Sequence, residues 1–388
     1  MAAAFAVSCA TPGPSALGAT AGRSGAAPTV APVASGAVAS CAATKLAGMS
    51  EEQRVGQLFM VGIGGDQLSL IETAAIVADH FGSVFLVKTR TNGVAGVRSL
   101  SDSIQALATE SGTAGVRFFV AADQEGGEVQ RLTGAGFTTI PAALDQGKLP
   151  ATTLQVRART WGAELAAAGI NLDLAPVMDV VPVGAESSNE PIGALQREFG
   201  SDPATVGSHG SAVVKGMTQA GIATALKHFP GLGRVIGNTD TSAGVVDSAT
   251  TASDPYLAAF ADGIAAGAPF VMVSLATYTQ IDPDHQAVFS PAIIGTLLRG
   301  RLGFDGVVIS DDIGATRAVA SMAPGNRATA FVSAGGDMMI VSGLIAAGEM
   351  ASAVLARARS DASFAALVDA AAVRILETKE TYGLVTCR

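Results

Sequence analysis

Cysteine, aromatic side chains and charge are all scarce in this chain. Of 388 residues only three are cysteine (Cys9, Cys41 and Cys387), and none lies inside the body of the sequence, so they border the chemistry rather than supply it. Aromatics make up 5% against 46 glycines and abundant Ala and Val, which argues against an aromatic-rich sandwich and for alternating strands and helices with tight turns. Charged residues are 15%, net −9, with no cluster of Lys and Arg to track phosphates; nucleic acid is not an expected partner. No stretch beyond residue 50 stays uncharged and apolar long enough to span a bilayer, so a soluble body is expected. Large apolar groups are few in residues 1–45, a mixture mostly of Ala, Gly, Ser, Thr and Pro that cannot offset its ordering entropy. These read as a flexible leader or linker ahead of a single domain over 46–388.

Within the leader, "FAVSCA" has the form of a lipoprotein-signal tail with Cys9 as the lipid-bearing residue, although the charged start and long apolar run of such signals are missing. A plain disordered terminus is the other reading. If Cys9 carries lipid, Cys41 and Cys387 remain to pair as a disulfide, which suits an oxidising envelope. The expected location is therefore the bacterial cell envelope or outside the cell, as a monomer whose only membrane contact is that anchor.

Apolar material is plentiful: 49% of residues are hydrophobic. From residue 46 onward short β-branched runs recur as "QLFMVGIGG", "GSVFLVKT", "VRFFVAADQEGG", "INLDLAPVMDV", "IATALKHFPG", "PFVMVSLAT", "DGVVISDD" and "GDMMIVSG". Each is followed by Gly, Asp or Pro and then helical periodicity, clearest in "TTLQVRARTWGAELAAAG" and "PATVGSHGSAVVKGMTQAG". Runs apolar on both faces are parallel strands buried under helices. Eight units predict an α/β fold of the (β/α)₈ TIM-barrel type; an open doubly wound sheet would show a phosphate-binding glycine turn that "VGIGGDQLSL" fits poorly. Barrel active sites lie at the carboxyl ends of the strands. Asp123, Glu125, Asp179, Lys227, His228, Asp311 and Asp312 fall there, a set that points to a polar pocket with no metal cage and no cofactor.

Five segments, "ADQEGGEVQRL", "INLDLAPVMDV", "REFGSDP", "LKHFPGLG" and "LRGRLGFDGVVISDD", occur in an order that resembles family 3 glycoside hydrolases. The likeness spans residues 46–345 and is to the single-domain β-N-acetylglucosaminidases of bacterial wall recycling. It implies a retaining hydrolase that releases β-linked N-acetylglucosamine from small peptidoglycan-derived fragments. Asp311 would be the nucleophile, and Asp123, Arg131, Arg197, Lys227 and His228 would grip sugar hydroxyls. Retention needs one ionised carboxylate at the anomeric carbon and a second group to protonate the leaving oxygen. A carboxylate with cationic neighbours is expected to stay ionised near neutral pH.

The resemblance fails at one place. Family loops end in Asp-Ser/Thr-His, with the histidine as acid/base; here "GLGRVIGNTDTS" keeps Asp240 and Thr241 but has Ser242 in the histidine's place. A serine hydroxyl is too weak an acid for that task. Leu275 and Glu128 also depart from residues common in relatives. Three readings stay open: Asp240 is the proton donor, its pKa raised if a closed loop buries it; the leaving group needs little protonation, or phosphate replaces water; or the site binds sugar without cleaving it. A family enzyme with another β-glycoside preference is a further alternative. Gly231, Gly233 and Gly237 read as hinges of a lid. Trp161 reads as core, and Tyr278 as a residue of the pocket rim.

Overall fold

The computed structural model describes Met1 and residues 40–386. Cys41 is disulfide-bonded; Cys9 and Cys387, with the anchor and pairing expected of them, lie outside the described residues. Helical order starts at Cys41–Gly48, inside the stretch read as linker, where Ser40 caps the first turn by accepting from the Ala43 N–H. Helix Glu51–Gln57 follows, with a reciprocal capping box between Ser50 and Gln53.

Eight parallel strands then close into a barrel: β1 (Phe59–Ile63), β2 (Ser83–Leu86), β3 (Phe119–Ala122), β4 (Leu172–Asp173), β5 (Ala223–Phe229), β6 (Phe270–Val273), β7 (Val307–Asp312) and β8 (Met338–Val341). Each pairs with its neighbours in sequence, and β1 closes on β8 through Met60 opposite Ile340. All eight predicted runs are strands, and the two predicted helices run over Ala151–Ala167 and Pro203–Gln219. The residues of the eight strands are buried on both faces except at the end of β7, where Asp311 and Asp312 reach partial exposure. That break in the apolar pattern is where a barrel strand emerges into its active face. Among the described residues, no helix is long and apolar enough to cross a membrane.

The opposite, amino-terminal face is pinned by buried ions. Lys379 donates to Gln57 Oε1 (2.8 Å) and the Gly82 carbonyl (2.7 Å), and burial pushes its ammonium down to about 7. Asp337, at the head of β8, holds Arg299 (2.6 Å) and Arg374 (2.7 Å). Those ions tie the last helices to the barrel floor and leave the other rim to chemistry.

Candidate active site

A hollow of about 410 Å³ opens at the carboxyl ends of the strands, and Asp123, Arg131, Arg197, Lys227, His228, Asp240 and Asp311 all line it. The sequence-predicted residues thus come together from four separate strand exits. Phe85, Leu174, Met272 and Ile340 supply apolar floor between them. A mixed lining of this kind suits a sugar, whose ring faces are apolar and whose edge is all hydroxyl.

The cations are held by carboxylates. Lys227 is 2% exposed, and its Nζ donates to Asp123 Oδ1 (2.5 Å) and lies 2.6 Å from Glu125 Oε1. Arg197 grips Glu125 with Nε and Nη2, both at 2.8 Å, and donates Nη1 to the Pro191 carbonyl. Burial alone would push the Glu125 carboxyl up, but Arg197 and Lys227 outweigh it and hold it well below its ordinary value. Burial pushes the Lys227 ammonium down, and Asp123 and Glu125 more than offset that, so it stays charged. Lys227 therefore combines two roles: it is an ion-pair partner and a wall of the hollow. Arg131 also faces the hollow, and its buried Nε has no hydrogen-bond partner among the described residues.

His228 is set by Asp179. The imidazole Nδ1 is 2.7 Å from Asp179 Oδ2, while Asp179 Oδ1 accepts the backbone N–H of His228 (3.1 Å) and of Leu232 (2.7 Å). Nε2 is left facing the pocket, 3.5 Å from Arg197 Nη2. Behind this layer Asp173 is buried, accepts from the Gln124 N–H, and is pushed by burial up to about 7. Sequence reasoning put Glu125 and Asp179 at strand exits but gave them no role. The signal was there in the pairing of two acidic residues with Arg197, Lys227 and His228, since buried charges demand partners.

Asp311 is next to last in β7 and accepts the Asp312 N–H at 2.8 Å. Burial pushes its carboxyl up to about 6; the charge of His228 opposes that, and Asp240 and Asp312 add to it. Burial therefore outweighs the cationic support expected from the sequence. No helix starts at Asp311: Asp312 Oδ1 instead accepts from Gly314 N (2.8 Å) and Ser342 N (3.2 Å), fixing the turn after the strand.

The loop from Leu232 to Ser242 is anchored rather than free. Asn189 donates to the carbonyls of Leu232 and Val235, both at 2.7 Å. The carbonyls of Thr239 and Asp240 accept from Ala318 and Arg317 N–H, both at 3.1 Å, which stitches this loop to the chain just past Asp311. Two of its glycines are required by the backbone: Gly231 has φ of +133°, and a Cβ at Gly233 would meet the Val180 carbonyl at 2.0 Å. Tyr278, expected at the rim, is fully buried behind the loop with its hydroxyl on the Gly231 carbonyl. Trp161 is core, as expected. Thr239 and Asp240 face the hollow, with Asp240 exposed at its mouth; Ser242 lines a different hollow, behind the loop.

Comparison with known proteins agrees with this geometry. Residues 50–378 match the model of the glycosyl hydrolase family 3 N-terminal domain. A solved β-N-acetylhexosaminidase from Beutenbergia cavernae DSM 12333 is 53% identical with a TM-score of 0.84, covering 86% of this chain and 99% of that one. A curated β-hexosaminidase from Stenotrophomonas maltophilia (strain K279a) is 35% identical over 294 residues, 73% of this chain and 83% of the relative. One from Xylella fastidiosa (strain M23) is 34% identical over 321 residues, 80% and 91% of the two chains. The chain belongs to glycoside hydrolase family 3.

Proposed function

We propose that the protein is a retaining β-N-acetylhexosaminidase that removes β-linked N-acetylglucosamine from small peptidoglycan-derived fragments. Asp311 attacks the anomeric carbon to form a glycosyl-enzyme, while Asp240 protonates the leaving oxygen and then deprotonates the water that releases the sugar. Asp123, Arg131, Arg197, Lys227 and His228 take the sugar hydroxyls. The observation that carries this reading is a partly accessible carboxylate at the end of β7 sharing one hollow with that set of hydroxyl-binding groups. Family membership and the hexosaminidase relatives support the substrate class. The same reading puts the enzyme, as a monomer, in the envelope or outside the cell, with lipid on Cys9.

Turnover of a chromogenic aryl N-acetyl-β-glucosaminide, compared with the matching glucoside, tests it. Hydrolysis of the N-acetyl substrate at least tenfold faster is expected. Faster glucoside cleavage would reassign the specificity, and sugar binding without turnover of either would make this a binding protein.

The nucleophile sets the acid side of the pH profile. A carboxyl raised to about 6 must lose its proton to attack, so kcat/KM for an activated aryl substrate is expected to fall tenfold per pH unit below about 6 and to level off above it. A plateau continuing down to pH 4.5 would show an ordinary carboxylate and would contradict the burial argument.

A further inference from the structure

The Asp240 carboxylate stands at the mouth of the hollow, and among the described residues no hydrogen bond or ion pair reaches its oxygens. Where that carboxyl sits is therefore decided by its backbone. The backbone is held from two sides. Its carbonyl accepts from the Arg317 N–H (3.1 Å), on the chain just past Asp311, and the neighbouring Thr239 carbonyl accepts from the Ala318 N–H (3.1 Å). Its own N–H donates to Oδ1 of Asn238 (2.9 Å), two residues earlier. An asparagine side chain that takes the N–H two residues on closes a tight turn in place of a backbone bond. Asn238 closes the turn a second time, because its main-chain carbonyl accepts from the N–H groups of Thr241 (3.1 Å) and Ser242 (2.8 Å). Asn238 is itself seated: its N–H donates to Oε2 of Glu190 (3.3 Å), from the segment after β4.

We propose that Asn238 is a positioning residue for proton transfer, its side-chain oxygen fixing the backbone that aims the Asp240 carboxyl at the leaving oxygen. The proposal rests on Asp240 being the proton donor. A general acid acts only within hydrogen-bond reach of the atom it protonates, and a displacement of about 1 Å can cost roughly a hundredfold. A carboxyl with no partner of its own has no second means of holding that reach. The residues that flank Asp240 do not supply one: Thr239 is buried, and Thr241 turns its hydroxyl back to the Asn238 carbonyl. Asn238 also lines the hollow, and its amide nitrogen has no partner among the described residues. That nitrogen is the group a direct contact with the aglycone would use, and it is the group an aspartate in this place would lack.

Three substitutions grade the contact. Asn238→Asp keeps the accepting oxygen, Asn238→Ser keeps a weaker one, and Asn238→Ala has none. Each is measured by kcat/KM, which reports the cleavage step, on an alkyl N-acetyl-β-glucosaminide whose leaving oxygen needs a proton and on a dinitrophenyl one whose leaving oxygen does not. The alanine variant is expected to lose roughly tenfold or more on the alkyl substrate and less than about threefold on the dinitrophenyl one. The aspartate variant is expected to stay near wild type on both, with serine in between. In an Asp240→Asn background, Asn238→Ala is expected to cost nothing further on the alkyl substrate, since the carboxyl it aims is gone. Equal losses on the two substrates, or a loss that adds in the double variant, would overturn the proposal and leave Asn238 a wall of the hollow. An aspartate as poor as alanine would also overturn it, assigning the amide to direct contact with the aglycone. Failure of the donor reads differently: Asp240→Asn alone would then lose equally on both substrates, and this proposal would fall with it. Dinitrophenyl turnover reports folding, because it needs Asp311 and the hydroxyl-binding groups but no proton. If the alanine variant does not fold, Asn238→Ser decides, and the absence of a selective loss on the alkyl substrate overturns the proposal.

Discussion

Replacing Asp311 by alanine is expected to lower kcat/KM on an aryl N-acetyl-β-glucosaminide by roughly a thousandfold or more, the scale seen when a covalent nucleophile is removed. The expectation follows from position: Asp311 is next to last in β7 at the floor of the hollow, among the groups that bind hydroxyls. Azide, small enough to enter the space left by the carboxylate, is expected to restore turnover and to give a glycosyl azide of inverted configuration. The asparagine variant tests the same residue in the resting fold. Its carboxyl is raised from 3.8 to about 6, so protonated Asp311 contributes stability that is fully present below pH 4 and lost as pH rises through 6. About two pKa units correspond to at most about 3 kcal/mol. Asp311→Asn is therefore expected to be more stable than wild type at pH 8 and indistinguishable from it near pH 4, by denaturant unfolding. Undiminished turnover in the alanine variant would refute the nucleophile. A stability difference independent of pH would refute the buried, charge-opposed carboxyl.

The barrel was legible because its signal is repeated and local. Eight short β-branched runs, each with a turn residue and a helical stretch behind it, leave little choice of architecture, and the strand ends then name the polar residues on the active rim. What the sequence could not convey was the partnering of charges. Lys227 and Arg197 read as hydroxyl-binding cations, and Glu125, 72 residues before Arg197 in sequence, pairs with both. Burial, with Asp240 and Asp312 adding to it, pushes the Asp311 carboxyl up to about 6 instead of an ordinary value. Tyr278 failed for a related reason: a tyrosine beside a strand end is equally able to face sugar or to cap a buried carbonyl, and only the path of the 232–242 loop decides it. The loop glycines were read as hinges, and at Gly233 a second reason for glycine stands beside that one, since Val180 leaves no room for a side chain.

The proton donor is the step where this chain leaves its family pattern, and Asp240→Asn is expected to expose it. With Ser242 turned to the hollow behind the loop, the carboxylate that the loop offers to the pocket is Asp240, and its charge is felt at Asp311. It stands exposed at the mouth. A substrate seated over the hollow covers that position, and burial beside a second carboxylate is the condition under which a carboxyl keeps its proton for transfer. Protonation matters in proportion to how poor the leaving group is. For an alkyl or sugar aglycone, kcat/KM is expected to fall by roughly a hundredfold or more in Asp240→Asn; for a dinitrophenyl glycoside, which departs unaided, by less than about tenfold. The second half-reaction still needs a base for water, so the activated substrate is expected to show a burst of released phenol followed by slow turnover, and azide, which needs no deprotonation, is expected to raise the slow rate. Equal losses on both substrates, with no burst, would remove Asp240 from proton transfer and leave its loop a wall of the binding site.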